Sequence, residues 1–306
     1  MPVVTPGRTR SLLHVELFTA MALFGSTTPL SRIIAGDLPV FSAALLRMVL
    51  ASSVLLCVAG RDLGRLAAAR RRDWLAILGI TGFGMVGFTA TMLFGMRLTT
   101  GVVGATVMSA TPAVTALAAV LFLGERFNRR KGWALALAVS GTVVINLGRG
   151  GQAGDGEAVV LGALLVALAV CFEAAYTLLS KLVAEGLSSL LITLTASLLA
   201  IPCFAVLALV FDPVPFAYGG ATARVWLAVV FWGLAAGALA PVLWYRAVRR
   251  APAVLAAGFM AVMPLSGLVL SYVVLGEPCR LVHLPGFGLA FAGVVLMIRE
   301  HAGAAA

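Results

Sequence analysis

Two charged side chains stand where charge is costly. Arg47 and Glu173 each lie inside a long apolar run. A charge at that depth must face a bundle interior, a cavity or an opposite charge. Each is therefore a candidate for substrate contact, for proton or ion handling, or for a structural ion pair, including one between the two. Tyr176 follows Glu173 by three residues, so both share a helical face, expected to be the wall of a polar pocket. Trp232 falls in mid-run, and Ser26, Thr27, Thr28, Thr177, Trp244 and Tyr245 are further residues that could line a cavity. Tyr and Trp near run ends commonly anchor at a membrane interface, the role expected of Trp74, Trp133, Trp226 and Tyr245. Glu16 and His14 fall near the end of the first run and are expected to stay hydrated.

Two prolines form a second constellation. Pro112 in MSATPAVTAL and Pro264 in MAVMPLSGLV each remove an amide donor from an apolar run, which kinks a helix unless the freed carbonyl finds another partner. Interrupted helices at matching places in two halves of a chain point to a transport site. Other chemistry lacks its motifs. The glycine-rich 148–156 stretch has no Gly-Lys-Ser/Thr, and there is no HExxH, no CxxC and no nucleophile elbow. No catalytic residue, metal site or cofactor is expected. Cys57, Cys171, Cys203 and Cys279 read as small apolar residues without a disulfide framework.

The elements that hold these residues are set by composition. Of 306 residues, 61% are hydrophobic and 11% charged, and the mean hydropathy is +1.07. A soluble domain carries roughly 25% charged residues, so lipid is the expected solvent. Ten runs approach the roughly 20 residues that a bilayer crossing needs: 12–31, 40–59, 74–95, 101–123, 132–147, 158–179, 190–211, 225–245, 253–275 and 283–298. The basic stretch MPVVTPGRTR resembles the flank of a first crossing, and no Ala-x-Ala cleavage pattern follows the first run. The net charge of +10 is clustered between runs. That pattern fits the bias of cytoplasmic loops toward Lys and Arg, and not nucleic acid binding. With the N-terminus in the cytoplasm, sixteen of the 22 basic residues fall inside and five outside, Arg47 being within a run. Both termini are therefore expected to be cytoplasmic.

The chain also repeats itself. Trp74-Leu75-Ala76 recurs as Trp226-Leu227-Ala228, an offset of 152. The same offset pairs Arg97 with Arg249, Met108 with Met260, Pro112 with Pro264, Leu123-Gly124-Glu125 with Leu275-Gly276-Glu277, and Gly141 with Gly293. Ser31-Arg32 pairs with Ser180-Lys181 at 149. The reading is an all-α integral membrane protein of ten transmembrane helices in two five-helix repeats, 12–148 and 157–299. Five is odd, so the second repeat must run inverted, the usual basis of alternating access. Glu125 and Glu277 are expected to share a structural task, binding loop arginines or free amides.

Two five-helix halves, each closing its fourth helix on Leu-Gly-Glu after a mid-helix proline, resemble the EamA-type drug/metabolite transporters. The matching segments are ATPAVTALAAVLFLGERF at 110–127 and VMPLSGLVLSYVVLGEP at 262–278. The resemblance implies a secondary transporter of the bacterial inner membrane, commonly an exporter of amino acids or related small metabolites. It implies a central cavity lined here by Thr27, Met108, Pro112, Glu173, Tyr176, Trp232, Met260 and Pro264, and it matches Arg47 to an arginine often seen in the second helix. The partners would be a small-molecule substrate, membrane lipid and protons as a candidate coupling ion; the oligomeric state is not legible. A membrane-embedded lipid-modifying enzyme would need clustered His, Asp or Glu at one interface, and a scaffold would have little use for paired prolines.

Overall fold

The computed structural model describes residues 6–98, 107–108, 110–125, 127–147, 156–183, 186–276, 281 and 283–303. Among these, all regular structure is helical. In the first half α1 (Pro6–Gly25) and α2 (Thr27–Asp37) meet at Ser26, and α3 (Val40–Ala59) follows, with a 3-10 stretch, Gly60–Ala68, after it. Then come α4 (Arg71–Gly79), α5 (Phe88–Leu98), α6 (Thr111–Leu123) and α7 (Arg129–Leu147). The second half holds α8 (Gly156–Leu182), α9 (Ser189–Phe211), α10 (Ala223–Phe231), α11 (Ala240–Val248), α12 (Ala253–Phe259), α13 (Val262–Leu275) and α14 (His283–Gly303).

Helices answer the solvent. In hydrocarbon every backbone donor needs a partner within its own segment, and these runs carry too few breakers to do otherwise. Among the described residues, six helical segments are long and apolar enough to cross a membrane: Val40–Ala68, Arg71–Met96, Ala158–Leu182, Ser189–Phe211, Ala223–Val248 and Ala253–Leu275. Two shorter apolar helices, Thr111–Leu123 and Leu284–Arg299, accompany them. Their outer faces are apolar, with Phe122, Val273, Leu227 and Trp133 all largely exposed. Lipid, and not water, suits such a surface. The chain is a multi-pass membrane protein.

Two irregularities recur at one spacing. Between α4 and α5 the helix widens to a π-helical turn over Ile80–Gly87, and between α10 and α11 it does so over Trp232–Leu239. Both ends of these stretches are 152 residues apart, the offset of the sequence repeat. π-helical turns are rare and gather at functional sites. Gly124 and Gly276, also 152 apart, close α6 and α13 in the left-handed conformation at φ +64° and +67°. A side chain there would be strained, which explains the glycine of both Leu-Gly-Glu motifs.

Helices α7 and α14 form the closest pair. A Cβ on Gly141 would lie 2.3 Å from the Ala290 amide nitrogen, and one on Gly293 would lie 2.6 Å from that of Ala138. Ala138 and Ala290 are again 152 apart, so the two contacts are reciprocal. Small residues allow this backbone approach.

The ends of the bundle are tied across the halves. At one end the Asp212 carboxylate accepts from the Phe41 and Ser42 amides at 3.2 and 2.8 Å and from the Ser42 hydroxyl at 2.7 Å. It thereby caps α3, whose first amides have no partner within the helix. At the basic end, Glu125 accepts from the Ala253 and Val254 amides at 2.5 and 3.0 Å, capping α12. Lys181 lies 3.5 Å from the Glu125 carboxylate and also donates to the Ala251 carbonyl. The expected amide-binding task is thus met by Glu125; Glu277, like Cys279, lies outside the described residues.

The prolines correct one expectation. Neither sits in the middle of a bent helix. Pro112 occupies the first turn of α6, and Pro264 the first turn of α13. The run expected at 253–275 is two helices, α12 and α13, separated at Met260–Ala261. A proline in a first turn loses a donor that the helix would not have used.

Candidate functional site

The site gathers around α8. Its face carries Phe172, Glu173, Tyr176 and Leu179, and the glycines of the first π-helical region give it room. A Cβ on Gly84 would lie 2.0 Å from the Tyr176 ring, one on Gly87 3.0 Å from Phe172, and one on Gly79 2.8 Å from Leu179. Glycine is required here because the aromatic rings lie directly on the backbone. Tyr176 turns its other side to Tyr245, with ring centres 5.2 Å apart.

Arg47 enters from α3. Its stem passes Gly237 in the second π-helical stretch, where a Cβ would lie 3.2 Å from Arg47 Cγ. The guanidinium stands over the Trp232 ring, 4.4 Å from its centre. An aromatic face attracts a cation without neutralising it. Arg47 Nε, Glu173 Oε2 and Trp232 Nε1 are buried and complete no hydrogen bond within the chain. Arg47 and Glu173 form no ion pair with each other. Tyr176, on the helical face of Glu173, packs on Gly84 and Tyr245.

The Thr111 side chain lies near Glu173, but its hydroxyl proton goes to the Met108 carbonyl at 2.7 Å, the acceptor that Pro112 leaves without its usual amide partner. In the second half the Met260 carbonyl takes the Met263 amide at 3.1 Å instead. Glu173, Tyr176 and Arg47 are partly buried.

Of the residues expected from the sequence, Arg47 meets Trp232, and Tyr176, on the face of Glu173, meets Tyr245. Pro112 and Met108 stand beside Glu173 through Thr111. Met260 is buried in the core at the second break. Pro264 is half-buried, next to where a Cβ on Gly25 would press on the Met263 carbonyl at 2.4 Å. Thr27 is half-buried at the start of α2, its hydroxyl spent on the Phe24 carbonyl at 2.6 Å.

Two assignments change. Tyr245 is not an interface anchor, since it is fully buried against Tyr176. Glu16 is not hydrated. It is 3% exposed and its carboxylate accepts from Arg246 and Arg250. The spacing of those arginines, one helical turn apart on one face, was the signal for an acidic partner. Thr111 carried no signal beyond its place before a proline.

An arginine and a glutamate carried within helices whose outer faces are apolar mark a membrane protein with charged groups inside its spans. The comparisons narrow the class. The model of the EamA-like transporter family matches residues 14–147 and 160–299. The chain belongs to the EamA-like transporter family. It is similar to the "Uncharacterized transporter YetK" of Bacillus subtilis (strain 168), 32% identical over 286 residues, spanning 93% of this chain and 86% of that one. It is also similar to the "Probable terminal-alkyne amino-acid exporter" of Streptantibioticus cattleyicolor, 28% identical over 294 residues, spanning 94% and 93%. A crystal structure with 19% identity shares the fold at a TM-score of 0.79, covering 94% of this chain and 96% of that one.

Proposed function

We propose that this family member is a ten-span secondary transporter that exports amino acids or related small metabolites across the bacterial cytoplasmic membrane by alternating access. Its halves, 12–148 and 157–299, are two inverted five-helix repeats, and both termini are cytoplasmic. The observation that carries the reading is the paired break. Ala110 stands at a turn before α6, and Met260–Ala261 separate α12 from α13, close to equivalent places of the two runs, and each turn is followed by the paired proline, Pro112 or Pro264. Interrupted helices in matching positions supply a central site and two related conformations. The reciprocal crossing of Gly141 and Gly293 supports the symmetry. The name of the relative from Streptantibioticus cattleyicolor supports the cargo class.

In this orientation the basic end faces the cytoplasm. Glu16 pairs there with Arg246 and Arg250, and Glu125 with Lys181. Each pair joins the two halves, so each must loosen for the interior to open inward. Glu173 is the residue through which a proton would couple to the cargo.

The test is flux in proteoliposomes loaded with a panel of amino acids and related metabolites, with and without an imposed pH gradient. Saturable flux of at least one compound is expected. Absence of saturable flux across the panel would sink the exporter reading, and flux indifferent to the gradient would remove proton coupling. Reporter fusions at both ends check the orientation, and an external signal from either would break the ten-span arrangement.

A further inference from the structure

The basic end of the bundle holds a cavity of about 450 Å³. Among the described residues its charged lining is four cations, Lys131, Lys181, Arg249 and Arg250, and one carboxylate, Glu125. The cations come from three places. Lys131 lies in the first turn of α7, Lys181 in the last turn of α8, and Arg249 and Arg250 just after α11. Backbone carbonyls hold several of them. Lys181 donates to the Ala251 carbonyl, Arg249 to the Leu187 carbonyl at 2.6 Å, and Arg250 to the Arg246 carbonyl at 2.8 Å. A carbonyl orients a cation and leaves its charge in place. Carboxylates are scarcer. Glu125, 3.5 Å from Lys181, also caps α12 through two amides, and Glu16 is shared between Arg246 and Arg250.

Like charges gathered in one recess attract an anion. The level of the cavity selects which anion. Trp133 follows Lys131 by two residues, a rise of about 3 Å, and is largely exposed. A tryptophan so placed marks the headgroup level of a bilayer. Phe127 is exposed as well and lies against Gly132, where a Cβ would stand 3.4 Å from its ring. Leu182, next to Lys181, is a third exposed apolar side chain. Apolar groups therefore border a cationic recess. A soluble phosphate would use the recess alone, whereas a lipid places its phosphate in the recess and its chains along the apolar outer faces.

We propose that this cavity binds the headgroup of an anionic phospholipid, with the phosphate among Lys131, Lys181, Arg249 and Arg250. Basic pockets between membrane helices recognise such headgroups, and a guanidinium meets phosphate oxygens in pairs. A zwitterionic headgroup is the poorer occupant, because it brings its own cation to four others. Glu125 and Lys131 belong to the first half, and Lys181, Arg249 and Arg250 to the second. The bound headgroup thus bridges the halves beside the contact that Glu125 already makes between them, so its binding stabilises the fold.

The experiment titrates the purified full chain in detergent with dioleoyl phosphatidylglycerol, read by thermal unfolding and by single-lipid adducts in native mass spectrometry. Dioleoyl phosphatidylcholine, inorganic phosphate and glycerol 3-phosphate are the comparison probes. Phosphatidylglycerol is expected to raise the unfolding temperature saturably and to bind more tightly than all three. Lys131→Gln and Arg249→Gln should each weaken its binding by roughly fivefold, the worth of one cation beside an anionic headgroup. Glu125→Gln should tighten it, because the one carboxylate of the lining loses its charge. Arg61 is exposed in the 3-10 stretch after α3, at the same end but outside the cavity, so Arg61→Gln should leave binding unchanged. Equal binding of the two lipids would overturn the proposal. Protection by inorganic phosphate or glycerol 3-phosphate at the affinity of the lipid would also overturn it and give the cavity to a soluble phosphate. Weaker or unchanged binding in Glu125→Gln would count against it in the same way, as would equal losses in Arg61→Gln and the cavity variants. Should Arg249→Gln not fold, Lys131→Gln and the wild-type probe series decide.

Discussion

The two helix breaks share a scaffold and differ in chemistry. Both stand close to the repeat offset, both precede a proline in the first turn of a new helix, and both follow a methionine whose carbonyl the proline leaves without its usual donor. At the first break the Met108 carbonyl is satisfied by the Thr111 side chain, which lies near Glu173. At the second, the Met260 carbonyl is satisfied by the Met263 backbone. The first copy thus spends a side chain on the freed carbonyl where the second spends only backbone. The π-helical stretches diverge in the same way. The first offers glycines to the aromatic face of α8, and the second offers Gly233 to Leu50 and Gly237 to Arg47. A duplicated fold has thus kept its backbone devices in both copies, while its interior charges differ from copy to copy.

The sharpest way to break that comparison is at the reciprocal crossing of α7 and α14. Gly141→Ala and Gly293→Ala should each destabilise the protein by about 1–3 kcal/mol through overpacking, and by similar amounts if the halves are equivalent. Thermal unfolding in detergent measures both, and tolerance of one alone would show that the crossing is not shared evenly. Next comes the pair of breaks. Thr111→Val removes a buried donor and should cost about 1–2 kcal/mol together with a loss of transport. Met263→Leu keeps the backbone donor and should cost less than about 1.5 kcal/mol with transport retained. Equal transport defects would erase the distinction drawn between the breaks.

A smaller effect is expected at the π-helical glycines. Gly84→Ala pushes directly on Tyr176 and should lower flux by roughly tenfold, the equivalent of ~1.4 kcal/mol. Gly233→Ala would place a Cβ 2.8 Å from Leu50 Cβ, which moves only with its backbone, so it should lower stability through overpacking while leaving Tyr176 untouched. The mildest test is at the basic end. Glu125→Gln retains an acceptor for the α12 amides but loses the charge opposite Lys181, and should cost about 1 kcal/mol. On the gate reading it should also increase labelling of an engineered cysteine in the interior from the cytoplasmic side. Unchanged labelling with unchanged stability would reduce Glu125 to a dispensable cap.

Much of this was legible beforehand, for identifiable reasons. Glycine after Leu123 and Leu275 announced left-handed helix ends because few other residues tolerate that conformation. Arg47 and Glu173 announced themselves because charge is rare in apolar runs. Tyr245 misled, because a tyrosine beside a basic cluster normally marks an interface; only the approach of α8 to α11 buries it on Tyr176. Glu16 misled for a similar reason, since its arginine partners lie about 230 residues away. The prolines were located correctly but given the wrong geometry, because a proline can kink a helix or begin one and the neighbouring carbonyls decide which.

The sequence by itself determined that this chain lives in lipid, that it repeats, and that two charges, two prolines and two left-handed glycines stand at special places. These are consequences of solvent transfer and backbone sterics, which act residue by residue. Only the tertiary structure decided that Arg47 stacks on Trp232 and that Tyr176 packs between Gly84 and Tyr245. It alone decided that the Thr111 hydroxyl answers to the Met108 carbonyl. Those outcomes depend on how close two backbones come, and that distance is set by which glycines meet across helices far apart in the chain.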